Sequence, residues 1–471
     1  MDKVKVFRVT TNPAQTISLF VDSGFDGFNK TGIYCGTMRI LLAFATLWVA
    51  ASGMAISTNE TEAPEPECFG AKQIINTGEV TSAAEFYAGE VDFSIDLFKK
   101  VYADNGGIKS KKPQNVFFSP FSVHSALLLA YFGSAGETQK NLGEVLRLGE
   151  TDKATAIRSY KATQMLHRLS SAANLTSKSY DLELANKVFF DSTEPLSNCI
   201  TEVLSEEVEE MDFLKKSSES LNMINGWVND KTKGKIENFL EEGSITSETR
   251  MVLANAAYFK GDWQSQFKPE RTKPTIFHIS PSEQTFVKMM YQKGQFRHGV
   301  SEELMSYILE LPYVGEDISM FILLPPFVEN ALDEVLSKLN GSILKEALRS
   351  MWKVDIEVGI PKFKIEASME LSKTLKNMGL ESIFDPILAN MTDFSSSPGL
   401  YFDELKHKAV VELNEEGSEA AAATALIALR SSRPLEREKF ICNHPFIFMI
   451  YDNMVDSILF MGAYRNPKSS V

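Results

Sequence analysis

The chain has 471 residues, 44% of them hydrophobic and 23% charged, with a formal net charge of −14. This is globular composition, long enough for one large domain or two average ones. The negative balance disfavours nucleic-acid binding as a main activity, and the four cysteines (Cys35, Cys68, Cys199, Cys442) form no CxxC pair, against a metal cluster or dithiol redox site; no metal and no cofactor are expected.

From Met38 the chain reads MRILLAFATLWVAASGMA. One Arg precedes an apolar run from Ile40 to Ala51, and the small residues Gly53 and Ala55 follow at cleavage spacing. Residues 38–55 thus read as a secretory signal peptide starting at an internal methionine, and residues 1–37 as an upstream extension. The rival is a retained signal anchor, but the run is short of the roughly 20 residues a span needs. No membrane contact is expected of the mature form. Residues 56–83, with STNETEAPEPE, read as a flexible acidic leader. Four sequons, at Asn59, Asn174, Asn340 and Asn390, are candidate glycosylation sites and agree with a secreted, extracellular protein. Three cysteines remain after cleavage, so at least one is unpaired or intermolecular and disulfides are not the main source of stability. Residues 84–471 contain no linker or repeat and read as one domain, large enough to need an extensive sheet with covering helices.

Residues 84–104 pattern as an amphipathic helix. Ser119-Pro120-Phe121-Ser122 caps an apolar helix through Tyr131. Residues 135–148 and 151–171 read as further helices. Strand-like alternation marks 182–190, 251–259 and 306–311. ISMFILL, residues 318–324, suits a strand buried on both faces. Strands are also expected over 354–363, 399–404, 409–413, 446–451 and 457–464, and a helix over 368–378 ended by Gly379. Helices and strands mixed without βαβ regularity predict an α+β fold.

Residues 414–434 read NEEGSEAAAATALIALRSSRP. Propensity alone makes the alanine run a helix. However, the stretch follows the strand-like VVEL, and from Ser418 to Ala425 it offers no bulk for an apolar helix face. As a strand it behaves differently. Ser418, Ala420, Ala422 and Thr424 would face one way, small enough to enter a packed sheet, with Glu419 outward and Gly417 free to turn.

Asn414-Glu415-Glu416-Gly417-Ser418-Glu419-Ala420-Ala421-Ala422-Ala423-Thr424 resembles the hinge of the serpin reactive-centre loop. The resemblance extends over roughly residues 85–467. It includes Phe117 to Ser122, Gly133-x-x-Gly136-x-Thr138, Asn225-x-Trp227-Val228 with Thr232-x-Gly234-x-Ile236, Asn255 to Gly261 with Trp263, His407-Lys408-Ala409, Asn443-His444-Pro445-Phe446 and Gly462. It implies three β-sheets, about nine helices and an exposed reactive-centre loop. It also implies a suicide mechanism, not an enzyme. A serine protease cuts the loop and is held as an acyl-enzyme, and the cut loop inserts into the central sheet, dragging the protease with it. Non-inhibitory members, acting as carriers or chaperones, commonly have bulky or charged hinges; Ser418 and Ala420 to Ala423 fit an inhibitor better. Ser119, Ser122, Asn255 and His407 resemble the polar cluster beneath the sheet opening, and Trp263 the tryptophan where insertion begins.

Family spacing from Gly417 puts the bait bond at Ser431–Ser432. Arg430–Ser431, one residue earlier, suits the carboxylate in the pocket of a trypsin-like protease better than a serine does. A covalent complex with such a protease is therefore expected, in a proteolytic cascade such as clotting or immune activation, from a monomeric inhibitor. Lys153, Arg158, Lys161 and Arg168 fall where some serpins bind heparin-like glycosaminoglycans, and their spacing allows one helical face. An intracellular inhibitor that keeps residues 1–37 is a further alternative. No HExxH, GxSxG, Walker or GxGxxG pattern competes.

Overall fold

The computed structural model describes residues 5–12, 15–21, 86–87, 89–105, 107, 113–173, 180–415 and 438–469, with the backbone alone at 5–21, 166 and 168–173. The chain divides into two compact units, Met1–Ala63 and Pro64–Val471. In the first, β1 (Lys5–Asn12) and β2 (Gln15–Val21) pair antiparallel, Lys5 opposite Val21. The stretches expected to be a signal peptide and a leader, and residues 416–437, lie outside the described residues, and with them Asn59, Asn174 and the expected reactive bond.

The second unit starts with α1 (Glu90–Asp104), whose first turn carries Asp92 near the positive end of the helix and a fully buried Glu90. After β3 (Val116–Phe118) comes α2 (Pro120–Gly133). Ser119 caps it, its side chain accepting from the Ser122 N–H, with Pro120 in the first turn where no donor is missed. Every residue of α2 is buried, so it is covered on all sides and lacks a polar stripe. Gly133 is required there: a Cβ would sit 2.0 Å from the Phe394 ring. Next come α3 (Gly136–Val145), α4 (Lys153–Ala173), β4 (Tyr180–Asp191), α5 (Asn198–Val203), β5 (Val208–Met211), α6 (Phe213–Lys231) and β6 (Met251–Gly261). They are followed by β7 (Lys273–Ser280), β8 (Glu283–Ser301), β9 (Ser306–Pro312), β10 (Ile318–Leu324), α7 (Ala331–Lys338), α8 (Gly341–Arg349), β11 (Trp352–Pro361) and β12 (Phe363–Glu370). The short α9 (Ser372–Leu375), β13 (Leu405–Leu413), β14 (Glu438–Ile441), β15 (Phe446–Asp452) and β16 (Ser457–Tyr464) complete the unit. Nine α-helices and mixed sheets among the described residues make this the α+β fold expected.

Two sheets build the second unit. Five strands run in the order β12-β13-β6-β4-β5, and nine strands form the other. In the nine-stranded sheet β8 is shared along its length. Its start pairs with β7, its middle with β11 and its last residues with β9, so two groups of strands are bonded into one. β10, β15 and β16 are buried throughout and pack apolar faces on both sides, as ISMFILL requires.

Several elements differ from the sequence reading. Residues 399–404 are not a strand: Pro398 and Gly399 turn, Gly399 at φ +75°, and Phe402 N–H bonds Ile383 O in place of a ladder partner. Residues 368–370 end strand β12 by pairing with Lys406 to Lys408, so the helix expected there shrinks to α9 and a π turn closed at Gly379. Strand β13 starts four residues before 409. No helix among the described residues is long and apolar enough to cross a membrane.

Candidate functional site, a parallel seam and its two fastenings

Within the five-stranded sheet one seam stands apart. β13 and β6 run parallel, from Leu405↔Leu253 to Val411↔Phe259, whereas β12–β13 and β4–β6 are antiparallel. Parallel ladders are slightly weaker per residue. In sequence, residues 416–437 follow the end of β13 that reaches Leu413.

The middle of the seam is held by a buried polar row. His407 on β13, Asn255 on β6 and Asn186 on β4 are register partners across three adjacent strands. The sequence brings them together because strand alternation points all three at the same face, toward the N-terminus of α2. The Ser119 N–H donates to His407 Nε2 at 3.0 Å. The His407 Nδ1–H is therefore left to donate to Asn255 Oδ1, with which it pairs. Asn255 Nδ2 donates to Ser122 O (2.9 Å), Ser122 Oγ (2.8 Å) and Asn186 Oδ1 (2.5 Å). The Ser122 hydroxyl also donates to Asn186 Oδ1 at 3.1 Å, and the Ser119 hydroxyl to Leu459 O at 2.6 Å. Ser119, Ser122, Asn255 and His407 are all 0% exposed. Burial pushes the His407 imidazole down to about 3, so it is neutral at physiological pH.

The Leu413 end of the seam is fastened differently. The Trp263 indole N–H donates to Asn414 O at 3.0 Å. Its ring stacks on Tyr313, centroids 4.5 Å apart and planes 11° off parallel. Glu415, the last described residue before the loop, accepts from Thr272 Oγ1 at 2.8 Å and from Lys362 Nζ at 2.6 Å. Burial would raise the Glu415 carboxyl, but the bonds from Lys362 and Thr272 outweigh it and hold it below the usual range.

Ser119, Ser122, Asn255 and His407 thus share one network, and Trp263 and Glu415 meet at the Leu413 end. Gly417 to Thr424, Arg430, Ser431 and Ser432 lie outside the described residues. Asn340 is exposed and caps α8, its Oδ1 accepting from Ile343 N–H, while Asn390 is half-buried. Asn186 is absent from the sequence reading. Its signal was available: it is the polar position on the core-facing phase Leu182, Leu184, Asn186, Val188, Phe190.

The basic face on α4 needs correcting. Lys153 is 6% exposed and its ammonium donates to Ser134 O and to Asp393, so it cannot reach a sulfate. Lys161 is bonded to both Glu207 oxygens, at 2.7 and 2.5 Å. Arg158 alone of the four is described as an exposed cation, and the Arg168 side chain lies outside the described residues. Among the described residues, Lys153 and Lys161 are tied up and do not join Arg158 in an exposed cationic stripe. Cys199 is disulfide-bonded and Cys442 is a buried free thiol. Among the described residues no group of three or more His, Cys, Asp or Glu could hold a metal ion.

Comparison with known proteins gives the same outline. The family model described as Serpin (serine protease inhibitor) matches residues 88–467. Serine protease inhibitor 88Ea of Drosophila melanogaster is 40% identical over 84% of this chain and 93% of its own length. The leukocyte elastase inhibitor of Xenopus tropicalis is 36% identical, covering 80% of this chain and 97% of its own. Among solved structures, a tumour suppressing serpin superimposes with a TM-score of 0.70 at 28% identity, covering 82% of this chain and 100% of that one.

Proposed function

Because the chain belongs to the serpin family, whose description is serine protease inhibitor, we propose that it is a secreted suicide-substrate inhibitor of trypsin-like serine proteases. The observation that carries this reading is the parallel seam. A chain that leaves the Leu413 end of β13 and turns back between β13 and β6 runs antiparallel to both. One weaker parallel ladder is replaced by two antiparallel ones. At about 1 kcal/mol net per backbone hydrogen bond, a strand of roughly 15 residues releases on the order of 10 kcal/mol or more with side-chain burial. That is comparable to the whole stability of a protease domain, about 5–15 kcal/mol.

In this reading the protease attacks Arg430–Ser431 and forms an acyl-enzyme. Its specificity-pocket carboxylate pairs with the Arg430 guanidinium. Residues Ser418 to Thr424 enter first, since they are small enough to pass over the core. Glu415 and Gly417 serve as the pivot. Asn255, His407, Ser122 and Ser119 keep the seam closed until cleavage, and the Trp263 contact to Asn414 is the first to part. Secretion is supported by the apolar run after Met38 and by the disulfide at Cys199, which an oxidising compartment favours. Exposed Asn340 is the described sequon best placed for a glycan.

Incubation with trypsin tests the reading. The expected result is a complex that survives SDS, and release of a fragment beginning at Ser431 by mass spectrometry. A fragment beginning at Ser432 would move the bait bond to Ser431–Ser432. Cleavage without a stable complex would make this a non-inhibitory member, a carrier or chaperone.

A further inference from the structure

Cys199, in the first turn of α5, is half-buried and disulfide-bonded. The chain has three other cysteines, Cys35, Cys68 and Cys442. Cys442 is a free thiol, 0% exposed, and burial pushes its thiol up, so the thiolate that exchange needs does not form there. Within one chain the partner of Cys199 is therefore Cys35 or Cys68, both outside the described residues. Cys35 precedes Met38 and is lost with the signal peptide in the processing proposed above, whereas Cys68 follows it and stays. Cys68 also belongs with Cys199 to the second compact unit, and Cys35 to the first. We propose that Cys68 and Cys199 form an intrachain disulfide, a redox-sensitive brace on the mature protein. The proposal rests on the secretion reading above.

Two thiols become one S–S bond, and the two protons and two electrons they lose reduce a donor disulfide, on a protein or a small molecule, to two thiols. The bond closes a covalent loop of about 130 residues that holds α1, β3, α2, α3, α4 and β4. Bridging so long a stretch removes freedom from the unfolded chain and so stabilises the folded one. The attachment point is itself fastened. The Ser197 N–H donates to Phe394 O at 2.8 Å, Leu196 bridges to Ser395, and Ile200 is fully buried. α5 joins β4 to β5, on the β6 side of the seam. About 20 residues separate Cys68 from α1, a covalent reach of roughly 65 Å, so α5 stays free to move with β4 when the seam opens. The brace steadies the fold without gating insertion.

Peptide mapping of the secreted wild-type protein, alkylated and digested without reduction, tests the pairing. A linked pair of peptides carrying Cys68 and Cys199, separated by a thiol reductant, is expected, and N-terminal sequencing of the same sample reads the processing independently. A pair carrying Cys35 and Cys199 overturns the proposal together with the processing. An alkylated Cys199, or a dimer of chains that reductant separates, on a chain that starts after Ala55 overturns the proposal and leaves the processing in place. Thermal unfolding reads the brace itself. Cys68→Ser, Cys199→Ser and the double variant are each expected to unfold about 5–10 °C below wild type, alike in the intact and the cleaved form, with the double variant no lower than the singles. Reductant should bring wild type to the same point and leave the variants unmoved. A wild type whose unfolding ignores reductant, or single losses that add in the double variant, overturns the brace. Should a variant not fold, wild type with and without reductant decides by itself.

Discussion

The two fastenings of the β6–β13 seam differ in kind. At the middle, His407, Asn255, Ser122 and Ser119 are all fully buried, and each polar atom answers another. At the Leu413 end, Glu415 is tied to Lys362, whose side chain is 42% exposed. Water reaches the Lys362 ammonium directly, although the Glu415 carboxylate is only 9% exposed and keeps Thr272 as a donor, whereas breaking the first strands donors and acceptors in the core. A seam that must open from one end, and only after a trigger, is well served by a weak end and a strong middle. The strength of the middle is also cooperative, because Asn255 Nδ2 alone serves three acceptors.

The largest expected effect breaks the middle. Asn255→Ala removes the partner of His407 Nδ1, which is left buried, and one of the two donors to Asn186 Oδ1. A loss of about 2–4 kcal/mol in the intact form is expected. The cleaved form should lose less, since insertion would part the β13–β6 pair anyway. Thermal unfolding of intact and cleaved protein, wild type against variant, measures the difference; equal losses in the two forms would remove His407 and Asn255 from any role in keeping the seam closed.

Next in size is the response to pH. Burial holds His407 at about 3 and His124 at about 4, against the ordinary 6.5. The unfolded chain takes up these protons first. The stability they contribute is therefore complete above 6.5 and erodes as pH falls toward the folded values, by up to about 1.4 kcal/mol per pH unit for each. Glu90 has the opposite sign. Burial raises it to about 8 from 4.5, so its contribution is complete below 4.5 and is lost as pH rises toward 8. Thermal transitions across pH should peak near 6.5, where the histidine losses end and the Glu90 loss continues. Glu90→Gln should flatten the alkaline limb and leave the acid limb in place.

The middle was more legible in the sequence than the rest. His407, Asn255 and Ser122 sit in local patterns, and the Ser-Pro pair marks the α2 cap without any tertiary knowledge. Asn186 went unread because a lone polar residue in an alternating strand looks like a solvent-facing one until its register partner is known. The α4 lysines failed for the complementary reason. Helical spacing puts them on one side, but Asp393 lies far away in sequence and reaches Lys153 only through the tertiary fold. The expected strand at 399–404 had alternation and no ladder to join, since the Gly399 turn takes its backbone elsewhere.

The smallest expected effect sharpens the contrast at the Leu413 end. Lys362→Met keeps the aliphatic stem and removes the ammonium that bonds Glu415, while Thr272 still donates to the same carboxylate. An ion pair with one exposed partner contributes about 0.5–1 kcal/mol. Its dependence on conditions separates it from the middle more clearly than its size does. Glu415 is held below the usual carboxylate range, so the pair's contribution is present above 4.5 and disappears as pH falls through the folded value. It should also shrink at about 1 M salt, where screening acts within roughly 3 Å. The deficit of Lys362→Met should therefore vanish in acid and in high salt, and that of Asn255→Ala should persist in high salt, because its partners are dry and uncharged. Measured side by side by thermal unfolding, a salt-insensitive Lys362 deficit would mean that the Leu413 end is fastened by packing around Trp263 and Tyr313 and not by charge.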